Sequence, residues 1–367
     1  MLNVQCIRIG LFITLVICAV SSVHSSEEYA AYPGSRAAAM AGVFTAQADD
    51  STAIWYNAAA LAQYDFVKGD ATLEFGQRPV SDNGSLSTES FLKYAAAYSR
   101  LNLPNFQKTP VGIGISYFSP IKLTRHIDAP QSLVNDNEFG NINTTYHQIS
   151  SMATVAVGRS LSFGATLDFI WLSIDCVNYS PCVDNGPTAL GSSLSTMLNL
   201  IDNKSIKIQM AATWRTKAKL AYRSTPQSGI GTVLIDYVPD RPDSKTLGFN
   251  LQIPSTWVLI NTNIIYERVA WSSSIERGDL LNDFQNVGAS VEFASLTGSG
   301  KTYSLRAGSK LSENRRSGEI DIGIVAMGIG YEVKRTHVID IAYVYTKFRH
   351  LKNNAQIWSL SYSWQFK

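Results

Sequence analysis

Residues 32–62 read YPGSRAAAMAGVFTAQADDSTAIWYNAAALA. Ala and Gly stand where a core helix would carry Leu or Ile. Asp49 and Asp50 interrupt the apolar run, and Trp55, Tyr56 and Asn57 come after them. Small side chains let a backbone come close to its surroundings, so a segment of this kind can thread a confined space. The rest of the chain reads as strand after strand. The expected fold is all-β: a membrane-spanning antiparallel barrel over residues 65–367, with residues 26–64 as a hatch plugging its lumen.

The strand reading rests on alternation, which marks ribbons with two different faces. At the C-terminus, Trp358, Leu360, Tyr362, Trp364 and Phe366 share one face, and Ser359, Ser361, Ser363 and Gln365 the other. Large apolar residues opposed only by Ser and Gln suit a lipid face and a wet lumen. The same pattern opposes Leu161, Phe163, Leu167 and Phe169 to Ser162, Gly164, Thr166 and Asp168. It also opposes Val287, Val291 and Phe293 to Asn286, Ser290 and Glu292. The pattern yields about fourteen candidate strands, an even number that suits a closed bacterial barrel. They lie near 65–78, 91–100, 110–118, 147–158, 161–172, 204–214, 217–224, 246–253, 255–268, 285–295, 302–312, 318–332, 336–347 and 355–366.

The connections give an independent test. With the C-terminus placed on the periplasmic side, the supposed outer loops include 79–90, 119–146, 173–203, 225–245 and 269–284. The shorter outer loops are 313–317 and 348–354, and the supposed inner turns are 101–109, 159–160, 215–216, 254, 296–301 and 333–335. Long loops fall on one side and mostly short turns on the other, an asymmetry of outer-membrane barrels that a soluble sandwich has no reason to show. One long connection holds GSSLSTMLNLID, residues 191–202, where Leu194, Met197, Leu198 and Ile201 are spaced like one helical face. Such a helix would be either a greasy lid over the barrel mouth or a helix packed on a neighbouring loop.

Composition agrees with export to a membrane. The formal net charge is +2 and about 16% of residues are charged, which leaves no basic footprint for nucleic acid. Residues 9–20 form a short apolar run after Arg8, and Val23-His24-Ser25 offers a cleavage pattern, so residues 1–25 are expected to be a signal peptide. No other run is apolar for long enough to be a helical span. Cys176 and Cys182, six positions apart in a turn-rich segment, are expected to form a disulfide; a metal site there would need a nearby His or further Cys.

The opening segment resembles the hatch of the FadL/TodX family of outer-membrane transporters for hydrophobic compounds. The residues that carry the resemblance are Arg36, Ala37, Asp49, Asp50, Trp55, Tyr56, Asn57, Ala59 and Leu61; the family's Pro in the last motif is Ala58 here. LAYRS at 220–224, LQIPSTW at 251–257 and SLRAGSKLSEN at 304–314 resemble later family segments, in family order. Hatch-like openings also occur in other outer-membrane barrels, including secretion-associated ones.

The resemblance implies passive transport of a hydrophobic ligand from the outer loops to a lumen pocket, then past the hatch or through a lateral opening. The expected gating residues are Arg36, Asp49, Asp50, Trp55 and Asn57, with Gly112 and Gly114 as a kink in the third strand. Leu194, Met197, Leu198 and Ile201 of the supposed lid, with Arg223, Arg306 and Lys310, are expected to touch substrate. The lumen cations have an equally direct structural use in pairing with Asp168, Glu292, Asp340 or the hatch. In the family's fatty-acid carriers the strand matching 161–173 ends on a basic residue; Ser173 stands there, which leaves neutral hydrocarbons open as cargo. Catalysis has no support: His126, His147, His337 and His350 lack zinc-type spacing, and no Gly-x-Ser-x-Gly elbow is present. No cofactor or metal is expected. The expected partners are a hydrophobic small molecule and outer-membrane lipids, with the protein a monomer. The alternative is a plugged barrel that serves as a secretion-associated or surface scaffold without small-molecule cargo.

Overall fold

The computed structural model describes residues 32–63, 69–82, 85–101, 110–119, 122–127, 140–177, 186–220, 241–270, 275–276, 279–280, 283–295, 300–313, 320–333, 336–348 and 355–366. The signal-peptide expectation for residues 1–25 lies outside them, as do Arg223, Cys182 and the side chain of Cys176.

The strands are β1 (Gly69–Asp82), β2 (Ser85–Leu101), β3 (Val111–Phe118), β4 (Lys122–Ile127), β5 (Gly140–Val157), β6 (Leu161–Val177), β7 (Thr188–Asp202), β8 (Lys207–Arg215), β9 (Asp243–Pro254) and β10 (Val258–Ala270). A two-residue pair, β11 (Ile275–Glu276) and β12 (Asp279–Leu280), forms its own small sheet. The wall resumes with β13 (Phe284–Ser295), β14 (Lys301–Glu313), β15 (Ile320–Val333), β16 (His337–Phe348) and β17 (Ala355–Phe366). Neighbours in sequence are neighbours in the sheet, all antiparallel, and β17 pairs with β1 from Gly69↔Phe366 onward, which closes the ring. The main sheet has fifteen strands, but β3 and β4 pair in succession with β5 and fill one position, so the barrel has fourteen.

Alternation sends the polar positions inward. On β17, Ser359, Ser361 and Ser363 are buried while Trp358, Leu360, Tyr362 and Trp364 are exposed. Exposed Leu167, Leu190, Leu247, Ile264, Leu305 and Ile329 continue the apolar wall around the barrel. A continuous apolar belt of this kind is what lipid demands and water penalises, so this is a membrane-spanning barrel. Outward aromatic rings meet in two groups: Phe169, Trp171, His147 and Tyr117 at mid-strand, and His337, Tyr362, Trp364 and Phe366 towards the C-terminal end of β17.

Two strand expectations need correction, and they cancel in the count. Of the expected strand 217–224, the described residues 217–220 are not part of a wall strand: Ala218 makes a single bridge to Arg241, and Ala218 and Leu220 are buried. Residues 188–202, expected to be loop and helix, are β7, paired along its length with β6 and β8. Leu190, Leu194 and Leu198 recur every fourth residue, a spacing that fits a helix as well as every second outward position of a strand. A register shift between Asn199 and Ile201 adds Ile201 to the exposed face and completes the helical disguise. The sorting of connections holds in part: short turns at 158–160, 203–206 and 255–257 lie on one side and long connections at 128–139, 216–242 and 271–283 on the other, but the expected outer loop 79–90 shrinks to the two-residue connection 83–84, and the nine-residue connection 102–110 lies on the side of the short turns.

Candidate functional site

The hatch occupies the lumen. Helix α1 (Ser35–Ala38), helix α2 (Ala53–Tyr56) and a 3-10 turn (Ala58–Gln63) fold into a compact path whose Ala37, Met40, Phe44, Ala53, Ile54, Ala59 and Leu61 are buried against Tyr94, Tyr98, Phe118, Met152 and Met197 of the wall. Gly34 and Gly42 make the chain reversals at φ 86° and 74°, a region that L side chains seldom enter.

The hatch is tied to the wall by polar groups, because a buried backbone or charge must find a partner. Glu292 of β13 is the centre. It accepts from Arg36 Nη2 at 3.0 Å, Gln47 Nε2 at 2.5 Å, Asn261 Nδ2 at 2.9 Å and Arg306 Nε at 2.6 Å. Arg36 also donates to Asp49 at 2.5 Å and lies 4.0 Å from Asp50, while Arg306 donates to Asp340 at 2.5 Å. Across the lumen, Glu74 accepts from the Gly34 amide at 2.5 Å and from Lys93 at 3.1 Å, and Asp70 accepts from the Ser51 amide at 2.8 Å. The 3-10 turn is held by Ser162, which donates to the Ala59 carbonyl at 2.7 Å, and by Ser195, which accepts from the Ala59 amide at 3.0 Å.

The expected gating residues fall into place unevenly. Arg36, Asp49 and Asp50 form one charged group. Asn57 is wholly buried: its amide donates to the carbonyls of Thr45 at 3.1 Å and Thr196 at 3.4 Å, and its oxygen accepts from the Ala59 amide at 3.1 Å. Asn57→Ala strands these groups and is expected to cost about 1–3 kcal/mol, read as a lower melting temperature and faster proteolysis within the hatch. Trp55 packs edge-on against Phe118 at 4.6 Å between ring centroids. Gly112 and Gly114 do not make the irregularity of the third strand. They give room to Tyr98, Ile54 and Met152. The irregularity comes after them, where Phe118↔Gln148 gives way to Lys122↔Thr145 and the strand gains one residue on β5.

The supposed lid is corrected. Leu194, Leu198 and Ile201 point outward from β7, and Met197 points inward against the hatch, because a strand sends them to opposite faces. Arg306 is buried in the Glu292 group, and Lys310 pairs with Glu267 at 3.1 Å, so both charges are used by the wall. Ser173 is exposed next to inward Leu172, so its lack of charge does not describe the lumen.

Beyond the hatch the lumen changes character. Along β6 the inward residues are Ser162, Gly164, Thr166 and Asp168 at hatch level, then Ile170 and Leu172 towards the outer end. Ile170, Leu172, Ala189, Ala218 and Leu220 form one apolar cluster with Tyr146. At its edge Arg241 donates to Asp168 at 2.6 Å.

A plug folded inside a fourteen-stranded barrel has counterparts among solved structures. The Ralstonia pickettii toluene transporter TbuX matches with a TM-score of 0.60 and 13% identity, over 92% of this chain and 99% of that one. The chain has the FadL/TodX fold. The Pseudomonas putida toluene transporter TodX (TM-score 0.57, 14% identity, 94% and 98% coverage) and a Pseudomonas aeruginosa FadL homologue (0.57, 12%, 94% and 100%) share it. No family model and no curated protein matches the sequence. At such identities the FadL/TodX likeness is one of fold.

Arg215, Arg241 and the Lys93–Glu74 pair escaped the sequence reading. Arg215 sat in a supposed inner turn and Arg241 in a Pro- and Asp-rich loop. Their only signal was that buried lumen charges need opposite partners.

Proposed function

We propose that this protein is a monomeric, passive outer-membrane transporter of a Gram-negative bacterium for hydrophobic small molecules such as long-chain acids or hydrocarbons. The observation that carries the reading is the change of the β6 lumen face from polar at the hatch to apolar beyond it. A hydrophobic molecule leaving water gains there what a water-filled pore would deny it. The toluene transporters TbuX and TodX, which have the same fold, support this choice of cargo class.

A lateral way out has its own support. β4 pairs with β5 alone, and the outer part of β2 pairs only with β1, so among the described residues the wall carries an unpaired seam beyond Ser119. On the lipid side nearby lies an apolar groove of about 480 Å3, floored by Ala71, Ala95 and Ala97 and flanked by Tyr117, Tyr362 and Trp364. Cargo passing the seam would enter the bilayer along this groove.

The test is uptake of toluene, hexadecane and oleate by a strain lacking the protein, then complemented. Uptake of at least one should fall in its absence; unchanged uptake of all would remove the transport reading. Ala97→Trp fills the groove on the lipid side and is expected to slow the rescued uptake several-fold while the hatch stays protected from protease. Wild-type uptake by that variant would place the exit elsewhere.

A further inference from the structure

The lipid-facing wall changes character near its outer edge. From the turn 255–257 upward, the outward face of β9 and β10 is apolar, with Ile253, Phe249 and Leu247 on one strand and Ile260, Ile264 and Tyr266 on the other. The next residues on that face are Lys245 and Arg268, both exposed, and they are partners across the two strands. Roughly nine to ten strand residues at about 3.3 Å each, tilted about 40°, lift them about 25 Å above the turn, which is the height of the apolar band of such barrels. Two cations thus stand side by side where hydrocarbon gives way to head groups.

Like charges directly opposite on neighbouring strands destabilise a sheet. Arg268 is partly compensated: its Nη2 lies 3.0 Å from Asp283 Oδ2, with the arginine side chain 60% exposed. Lys245 has no partner among the described residues. The other carboxylates of this rim are engaged. Asp243 accepts from the Trp214 indole at 3.0 and 3.1 Å, and Glu313 accepts from the Gln285 amide at 3.0 Å. The wall therefore carries donors that it does not itself satisfy, the Lys245 ammonium and the remaining N–H groups of Arg268. Opposite residues have Cβ atoms about 5 Å apart, so one tetrahedral anion can bridge both.

We propose that Lys245 and Arg268 hold a phosphate of an outer-leaflet glycolipid whose acyl chains lie down the wall over Leu247, Ile264 and Tyr266. The patch faces the bilayer, so its occupant is a lipid. It is cationic, so the head group is anionic. It lies at the end away from the short turns, so the leaflet is the outer one, which in this membrane is built of phosphorylated, acylated sugars. A phosphate between the two cations removes their mutual repulsion and leaves Asp283 one prong of Arg268. Such a lipid pins β9 and β10 from outside, whatever passes through the lumen.

The test titrates the full chain in dodecyl maltoside micelles with lipid A, read by native mass spectrometry. EDTA is present, so that no divalent cation bridges phosphate to Asp243 or Asp283. The comparison lipid is lipid A stripped of its phosphates, and inorganic phosphate is a third probe. The wild type should bind lipid A about tenfold or more tightly than the stripped lipid, and inorganic phosphate at the same concentration should not displace it. Lys245→Gln and Arg268→Gln should each weaken lipid A binding by about tenfold, and the double variant should bind both lipids alike. Asp283→Asn frees Arg268 and should bind lipid A at least as well as the wild type. Equal binding of the two lipids by the wild type would overturn the site, and that comparison needs no variant. Wild-type affinity in the double variant would also overturn it. Displacement by inorganic phosphate would overturn it as a lipid site and leave only a surface that attracts anions.

Discussion

Glu292→Leu is expected to unseat the hatch while the barrel stays closed. Four donors converge on this carboxylate, and two of them, Arg36 and Gln47, belong to the hatch. Leucine preserves bulk but leaves Arg306 with Asp340 alone and Arg36 with Asp49 and the more distant Asp50. Removing one partner of a buried ion pair typically costs about 3–5 kcal/mol, because the remaining charge stays in a poorly solvating place. Here that cost falls on the bond between two parts, not on the wall, whose strands stay paired through their backbones. The hatch should therefore yield first. In planar bilayers the variant should show frequent conducting events where the wild type is silent, and protease should cut within residues 32–63. Barrel mobility in unheated detergent gels should be unchanged. A silent, protease-resistant variant would mean that the Glu292 group does not hold the hatch.

How much of the structure is legible in the sequence depends on where a residue points. Outward residues were legible, because lipid imposes one simple demand on all of them: Trp358, Leu360 and Tyr362 announce the face of β17 without help. Strand β7 was not legible, because its lumen face is made of small residues, Ala189, Gly191, Ser193 and Ser195, chosen by the neighbouring hatch and not by water or lipid. Without that alternation the leucines alone suggested a helix. The same holds at the site. Arg36, Asp49 and Asn57 stood out in a short segment where charge is rare. Arg215 and Arg241 depend on contacts between elements far apart in sequence, and no local pattern encodes those.

Gly164→Val should have the second large effect, through shape instead of charge. The alanine-rich hatch meets a wall with glycines at the contact points. At Gly164 an added Cβ would lie 2.5 Å from the Ala59 amide nitrogen and 2.7 Å from the Ala58 carbonyl carbon; at Gly308 it would collide with the backbone of Met40. These obstacles are backbone, so no rotamer change relieves them. Valine is at home in a strand, and β6 should still pair with β5 and β7. The 3-10 turn, however, would have to lift away, which breaks both the Ser162 and Ser195 bonds to Ala59. Overpacking in a tight core costs roughly 1–3 kcal/mol where side chains can adjust, and a backbone collision belongs at or above the upper end. The expected result is a folded barrel with an unlatched C-terminal hatch segment: protease cleavage near Ala58–Gln63 and uptake that no longer discriminates by hydrophobicity. Ala165→Val, one residue along on the lipid face, adds similar bulk and should change neither. Equal behaviour of the two variants would show that bulk on β6, and not its direction towards the hatch, is what matters, and the close-contact account of the plug would fall.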